Sequence, residues 1–339
     1  SVYVFKTWAI DNAENQSVQQ IKTVEVATRP LVINEIGWMG TSPTKTQDEW
    51  LEIFNPTFLP VNLSGITLVS DDVGPNIQLS GTIAPRGFYL IERTDDTTIS
   101  NLIASSSGSF GNGLNNNGEV LALKYGSTTI DQTPAVNLCG GCCAGFGNPQ
   151  FFSMERYDSF SSGEDPNNWS HWMSLVPANG KNANGLPVNG TPGRRNSINY
   201  LIDKSVSSLN QNKTLKKVDS PYIIPNTPFV IQNGATLNIE PGVVIKLYNG
   251  ATLSANGIMK AEGTAADPII FTSFKDDFYG GDTNQDNAST TPAPGDWGSI
   301  KINSNGSILD RTIIRYGGLN DFSASQWANL KIENAAFTL

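Results

Sequence analysis

A short repeat in the last third of the chain constrains its fold more than any other feature. The pentapeptide Asn-Gly-Ala-Thr-Leu occurs at 233–237 and again, sixteen positions further on, at 249–253. Short apolar runs such as Val243-Val244-Ile245 lie between the copies. Asn and Gly readily take the conformations that tight turns need. A unit this short cannot bury an apolar face alone, so the pattern predicts a solenoid of stacked short strands.

The composition extends a turn-rich β prediction to the whole chain. The 339 residues include 32 Gly and 19 Pro, and only 16% are charged. This composition argues against a helical bundle, and the length favours two to three domains. No apolar run approaches the roughly 20 residues of a membrane-spanning helix. The net charge of −9 argues against a nucleic-acid partner, because such proteins usually present a basic face.

Residues 1–29 read as two alternating strands around an Asx-rich turn at 11–15, which predicts a β-hairpin. The phrase YVFKTWAIDNAENQS at 3–17 resembles the last strands of bacterial immunoglobulin-like or fibronectin type III-like modules. A lone hairpin is marginal in water, so these strands need partners. Both ends of the chain read as strands, and we expect it to be a fragment of a longer protein.

Residues 30–197 carry five short strand patterns and an ordered set of motifs. The motifs are INEI at 33–36, EWLEIFNP at 49–56, VNLSG at 61–65, LSGTIAP at 79–85, NGEVLAL at 117–123, SMER at 153–156, NW at 168–169 and GTPGRRN at 190–196. Together they resemble the bacterial lamin tail domain. The resemblance implies an immunoglobulin-like β-sandwich without catalytic activity. The Cys-bearing stretch at 134–152 departs from the pattern and is predicted to be an insertion.

Residues 198–220 lose the periodic pattern of apolar residues, which predicts a linker.

From 221 to 339 the sequence pattern changes again. The segments are LNIEPGVVIKL at 237–247, ANGIMKAEGTAADPIIFTS at 255–273, GDWGSIKI at 295–302 and LDRTIIRYGG at 309–318. They resemble the right-handed parallel β-helix repeats of bacterial surface proteins, in the wider pectate lyase-like group. The predicted fold class is therefore all-β: a sandwich followed by the start of a β-helix.

An acidic stretch at 276–287 is the sharpest candidate site. Asp282, Asn284 and Asp286 have the alternate spacing that places three oxygen ligands in one tight loop. Further ligands could come from Asp276, Asp277 or Asp296. Calcium binds six to eight such oxygens. The EF-hand pattern would require Gly at 287 and Glu at 293, where the chain has Asn and Ala. Two predictions stay open: a calcium site, or a polar loop whose Asx side chains bond to its own backbone.

The three cysteines, Cys139, Cys142 and Cys143, lie within five residues. A zinc site needs four ligands, and the chain has a single histidine, His171. In an exported chain we expect a short-loop disulfide from Cys139 to either Cys142 or Cys143, with one thiol left over that could pair between chains. Three free thiols are the alternative.

Three glutamates of the sandwich could act as paired acid and base. These are Glu35, Glu49 and Glu52, but they fall within predicted strands, and we interpret them as structural. Near the end of the chain, Asp310, Arg311 and Arg315 could support lyase chemistry. Without a compact set of carboxylates around a basic residue, a solvated strand-edge pair is the better interpretation.

His171 lies between aromatic residues and is predicted to be packed. Trp38, Trp172 and Trp327 could form a platform for sugar stacking, but core packing is the commoner fate of tryptophan.

These features predict a non-catalytic structural or adhesive segment of an exported, multidomain bacterial surface protein, with calcium as its one candidate cofactor. Its expected partners are other surface proteins, extracellular glycans or copies of itself. One alternative is an accessory, substrate-binding region of a secreted polysaccharide-active enzyme or nuclease. Another is a subunit of an extracellular filament or layer that exchanges strands with its neighbours.

Overall fold

The chain divides into two compact units. Unit 1 comprises 1–172 and 178–196, and unit 2 comprises 173–177 and 197–339. The structure is a computed structural model, and it describes residues 2–11, 15–25, 27, 29–108, 110–225, 227–319 and 328–333.

Unit 1 contains fourteen described strands and one short helix. The strands are β1 (Val2–Thr7), β2 (Gln20–Glu25), β3 (Val32–Gly37), β4 (Trp50–Phe54), β5 (Val61–Asn62), β6 (Ile66–Ser70), β7 (Asn76–Gln78), β8 (Thr82–Ile83), β9 (Phe88–Arg93), β10 (Ser106–Gly108), β11 (Leu121–Tyr125), β12 (Thr128–Gln132), β13 (Met154–Arg156) and β14 (Trp169–His171). The helix is α1 (Val136–Cys139), and a 3₁₀ turn spans Pro166–Asn168.

Two sheets of unit 1 enclose a common apolar core. One has the order β10-β9-β4-β3-β13-β14 and the other β12-β11-β6-β7, with antiparallel neighbours except for β9 and β10. Leu51, Leu68 and Leu123 are fully buried in this core. Strands β5 and β8 form a small separate sheet, and β1 pairs with β2 in the predicted hairpin.

Strand β4 is buried on both faces, although a sandwich strand normally alternates. Leu51 and Ile53 point into the core, whereas Glu52 belongs to the opposite face. Residues 190–193 run over that opposite face, where they hydrogen-bond to Glu35 and Glu52. The last residues of unit 1 therefore form a second layer over the six-stranded sheet.

Unit 2 consists of short strands with 3₁₀ turns at Ser197–Tyr200 and Lys217–Asp219. The strands are β15 (Ser208–Leu209), β16 (Lys213–Leu215), β17 (Tyr222–Ile224), β18 (Pro228–Ile231), β19 (Thr236–Ile239), β20 (Val244–Leu247), β21 (Thr252–Ala255), β22 (Ile258–Glu262), β23 (Ile269–Ser273), β24 (Ile300–Ile302), β25 (Ile308–Asp310), β26 (Thr312–Ile314) and β27 (Leu330–Ile332).

The strands of unit 2 stack into three parallel sheets, as the solenoid prediction requires. The orders are β15-β18-β21-β24-β27, β16-β19-β22-β25 and β17-β20-β23-β26. Each successive rung of the stack contributes one strand to each sheet. Buried residues repeat down the interior at one position per rung, for example Phe229, Leu253 and Ile300. Stacking thus buries the apolar face that a single rung leaves open.

The structural repeat is longer than the sequence repeat. Pro228 pairs with Thr252, twenty-four positions further on. The two pentapeptide copies consequently lie in different sheets, the first leading into β19 and the second into β21. The pentapeptide recurs after sixteen positions because both copies form a turn that leads into a strand. Its spacing does not give the length of a rung.

Residues 198–220, predicted as a linker, contain β15 and β16 of the first rung. These strands are only two and three residues long, too short for alternation to be visible in the sequence. Overall 36% of the residues lie in strands and 4% in helices, which confirms the all-β prediction. In the described part of the chain, no helix has the length and apolar character needed to cross a membrane.

Candidate metal site

The acidic stretch lies in a long excursion from unit 2 between β23, which ends at Ser273, and β24, which begins at Ile300. Within it, Asp277, Asp282 and Asp286 each bring a carboxylate oxygen within 4.8 Å of the others. Among the described residues this is the one group of three or more acidic, Cys or His side chains with such spacing. We call this segment, residues 274–296, the acidic loop.

A buried lysine anchors the acidic loop to the solenoid. Lys246 on β20 is fully buried and pairs with Thr272 on β23, and its Nζ donates to the Gly281 carbonyl. Loss of hydration lowers the pKa of Lys246 to about 8, although the nearby carboxylates of Asp277, then Asp276, act in the opposite direction. The solenoid therefore presents its own cation beneath the acidic cluster, a feature that the sequence prediction missed. The sequence signal that could have indicated this cation is a single Lys within the otherwise apolar strand β20.

Two of the three clustered aspartates are engaged by backbone amides. Asp282 accepts hydrogen bonds from the Asp286 and Asn287 amides at 3.1 Å each. Asp286 accepts from the Ser289 amide at 3.0 Å. These are Asx-type contacts, so the second sequence prediction, a loop that bonds to its own backbone, accounts for part of the geometry.

Two other oxygens of the acidic loop lack donors. Asp277 Oδ1 and Asn284 Oδ1 are buried without a hydrogen-bond partner. Burial raises the pKa of Asp277, and the charges of Asp282 and Asp286 raise it further. A buried acceptor without a donor is costly, and a hard cation would satisfy such oxygens. The nearby Gln285 Nε2 also has no partner, but as a donor it would gain nothing from a cation. The three clustered carboxylates could hold a metal ion, and the unpartnered oxygen of Asn284, whose Nδ2 donates to Asp286 Oδ2 at 2.8 Å, lies in the same loop.

Asp276, which the sequence placed in the ligand set, is not part of the cluster. It is 2% exposed and accepts hydrogen bonds from Thr272 Oγ1 and from the Phe278 amide at 3.1 Å. Its role is to fix the start of the acidic loop against β23. The end of the loop is fixed by Asp296, which pairs with Lys275 at 2.8 Å.

The cysteine cluster contains a disulfide between Cys139 and Cys143, one of the two pairings the spacing allowed. Helix α1 ends at Cys139 and is capped by Gly140, which has a φ of 69° and whose amide donates to the Val136 carbonyl. Cys142 remains a thiol, and burial followed by the charge of Glu119 raises its pKa to about 12. A thiol held protonated in this way is a weak nucleophile, which favours a structural role.

The glutamates of unit 1 are buried. Glu35 and Glu52 are fully buried, and Glu49 pairs with Arg93 at 3.1 Å and accepts from the Leu114 amide. Burial raises the pKa of Glu49 to about 7, partly opposed by these contacts.

The other singled-out residues are dispersed. His171 packs against Phe146 and Phe152, and burial lowers its pKa. Trp172 is buried. Trp38 is half-buried and donates to the Ala144 carbonyl at 3.0 Å. Trp327 lies outside the described residues.

The basic residues near the end of unit 2 have local partners. Asp310 pairs with Arg311 at 2.7 Å on an exposed edge. Arg315 stacks over the Tyr279 and Tyr316 rings.

Comparisons with known proteins place few constraints on this chain. It matches no protein-family profile and no solved structure. It is similar to Protein bark beetle of Drosophila melanogaster, with 30% identity over 102 residues. That match covers 29% of this chain but only 3% of the fly protein, so the chain spans a small part of that relative.

Proposed function

We propose that this chain is a non-catalytic structural segment of an exported, multidomain surface protein, and that a calcium ion bound in the acidic loop stiffens its solenoid. The observation that carries the proposal is the pair of buried oxygens without donors, on Asp277 and Asn284, beside the Asp282 and Asp286 carboxylates. An ion there would cross-link the two halves of the acidic loop. Through the hydrogen bond between Gly281 and Lys246, it would also hold the loop to the solenoid.

Two further features support a structural role. The fold has the sandwich-then-solenoid order that resemblance to the lamin tail domain and the parallel β-helix implies. The glutamates with raised pKa values, such as Glu35 and Glu52, are fully buried and in contact with backbone and amide groups. A substrate could reach them only if the covering residues moved away.

Calcium binding is tested by thermal unfolding of the full chain in calcium and in chelator. At a calcium concentration of 100 times Kd, the expected stabilisation is about 2.7 kcal/mol, seen in the transition of unit 2. Asp310→Asn is the matched control, because Asp310 is an exposed aspartate of the same unit outside the cluster. An unchanged transition and no heat of binding in calorimetry would overturn the calcium site.

Asp277→Asn separates calcium binding from a merely polar loop, since only a calcium site makes the effect of the substitution depend on calcium. In chelator the substitution removes a carboxylate that is disfavoured by burial and by its acidic neighbours, so unit 2 should become more stable. In calcium it removes a ligand charge, so the calcium-dependent stabilisation should shrink. Stabilisation of the same size in both conditions contradicts the proposal.

Self-assembly through the hairpin is a second candidate function. Strands β1 and β2 pair only with each other among the described strands, and Tyr3, Phe5 and Ile21 are each more than half exposed. An exposed two-stranded sheet offers two free edges to a partner strand. Light scattering of wild type and Phe5→Lys tests this function: concentration-dependent association that the substitution abolishes supports it, and a wild-type monomer at all concentrations excludes it.

A further inference from the structure

Three glutamates form a row across adjacent strands of unit 1. Glu155 on β13 lies opposite Glu35 on β3, which lies opposite Glu52 on β4. All three are fully buried. Directly opposed residues have Cβ atoms about 5 Å apart, and like charges at that distance destabilise a sheet. Three ionised carboxylates in such a row would be very unfavourable.

Residues 190–196, which we call the closing segment, cover the glutamate row. The Thr191 amide donates to Glu35 Oε1 at 2.8 Å, and the Gly193 amide donates to Glu52 Oε2. A Cβ on Gly190 would lie 2.8 Å from Glu35 Oε1, so this close approach requires glycine. The carboxyl groups are thus the anchor points of the segment.

The hydrogen-bond geometry calls for a shared proton. Thr191 Oγ1 lies 3.0 Å from both Glu35 Oε2 and Glu155 Oε1. A hydroxyl has one proton to donate, so it cannot donate fully to two carboxylates. If Glu35 carries a proton on Oε2, that O–H donates to Thr191 Oγ1, and Thr191 donates to Glu155. Glu35 Oε1 then still accepts from the Ser153 hydroxyl at 2.6 Å.

The surroundings of Glu35 also favour its protonated form. Desolvation raises the pKa of Glu35, and Glu155 and Glu52 raise it further. Desolvation also raises the pKa of Glu52 to about 8, against the opposing hydrogen bonds from the Gly193 amide and Asn34.

The neighbouring elements contribute both signs of charge. The row is flanked by Leu90 on β9 and Ser170 on β14, and β9 also carries the buried Glu92. On β13, Arg156 belongs to the other face, where it pairs with Asp131. The charged residues of the closing segment itself are Arg194 and Arg195.

We propose that the glutamate row is a proton-dependent latch: it holds at least one proton at neutral pH, and loss of that proton in alkaline solution releases the closing segment from the sheet. The latch lies within unit 1 and is independent of calcium. Deprotonation leaves the single hydroxyl proton of Thr191 between two carboxylates and adds a negative charge to a fully buried row.

Hydrogen exchange of the full chain between pH 6 and 9.5 tests the latch. After correction for intrinsic exchange, protection of the Thr191 and Gly193 amides should fall by up to about tenfold per pH unit for each proton lost on opening. In Glu35→Gln, the amide nitrogen replaces the protonated oxygen, so protection should persist to higher pH. Glu164→Gln, at an exposed position, is the matched control and should behave as wild type.

Two results would overturn the latch. One is wild-type protection that does not change across this pH range. The other is loss of protection in Glu35→Gln already at pH 6, the result expected if Glu35 is ionised in the native state. If Glu35→Gln does not fold, infrared spectroscopy of wild type decides. A protonated-carboxyl band that persists in the native protein at pH 8, where Glu49, Glu92 and Glu119 with pKa values of about 7 are mostly ionised, and that disappears on denaturation at the same pH supports the latch. Absence of the band from the native protein at pH 7 refutes it.

Discussion

Unit 1 and unit 2 deal with charge in opposite ways. Unit 1 buries ionisable groups inside its layers, including the glutamate row and the Arg156–Asp131 pair. The interior of unit 2 is lined by apolar side chains repeated from rung to rung, and its buried Lys246 lies on the outer face under the acidic loop. In a stacked repeat, each interior position lies directly between the equivalent positions of the neighbouring rungs. A charged side chain there would face apolar side chains above and below it and would lack a partner. The sheets of a sandwich do not repeat in this way, so charged side chains can form one local network.

The largest effect is expected from breaking the buried ion pair of unit 1. Arg156 binds both oxygens of Asp131, at 2.6 and 3.1 Å, and both side chains are almost completely buried. Asp131→Ala leaves the guanidinium without its main counterion and should cost about 3–5 kcal/mol. Denaturant unfolding, monitored in unit 1, measures the loss.

The double variant Asp131→Ala/Arg156→Met is the control for that experiment. Removing both charges should recover part of the stability, because no uncompensated buried charge remains. If the double variant is even less stable than Asp131→Ala, the stability lost in the single variant comes from packing instead of charge.

A core truncation in unit 2 should cost somewhat less and remain local. Leu253 is fully buried between Phe229 and Ile300 of the adjoining rungs. Leu253→Ala should destabilise unit 2 by about 2–5 kcal/mol through lost burial and the cavity left behind. Ser254→Ala, on the next residue, should change stability by less than about 0.5 kcal/mol. An equal shift in the unfolding of unit 1 would show that the units do not unfold separately.

The pH dependence of the two units should have opposite signs. The pKa of Glu52 is raised from 4.5 to about 8, so the native state binds more protons than the unfolded chain, and unit 1 loses stability as pH rises through that interval. The pKa of Lys246 is lowered from 10.5 to about 8, so unit 2 gains stability between pH 8 and 10.5. Each group contributes at most about 1.4 kcal/mol per pH unit.

Lys246→Met isolates the lysine contribution. The alkaline gain of unit 2 should disappear in chelator, while unit 1 keeps its own slope. Removing the cation beneath the acidic loop should also tighten calcium binding, by about tenfold if the lysine opposes it by ~1.4 kcal/mol. Weaker calcium binding in the variant, measured by calorimetry, would contradict this prediction and show that the hydrogen bond from Lys246 to Gly281, which anchors the loop, contributes more to the site than the lysine charge opposes.

The contrast between units also explains what the sequence could reveal. Turn chemistry and apolar spacing are local, so the sandwich strands, the stacked strands and the three clustered aspartates could be predicted. Pairings between distant segments were not visible. Glu35, Glu155 and Thr191 are far apart in the chain and meet only through sheet order and the closing segment. Likewise, Lys246 and Gly281 are brought together by a rung whose length the pentapeptide echo concealed.

The smallest effect is expected at the exposed ion pair of unit 2. Arg311 and Asp310 lie 2.7 Å apart, a distance similar to that of the buried pair, but about half of each side chain is exposed. Water and salt screen such a pair, so Asp310→Asn should cost no more than about 0.5 kcal/mol, and less in high salt. Denaturant unfolding at low and high ionic strength measures this cost. If the two pairs have similar distances but different effects on the free energy of unfolding, then burial, and not distance, determines how much a charge pair stabilises this protein. A loss of several kcal/mol in Asp310→Asn would remove that distinction between the two units.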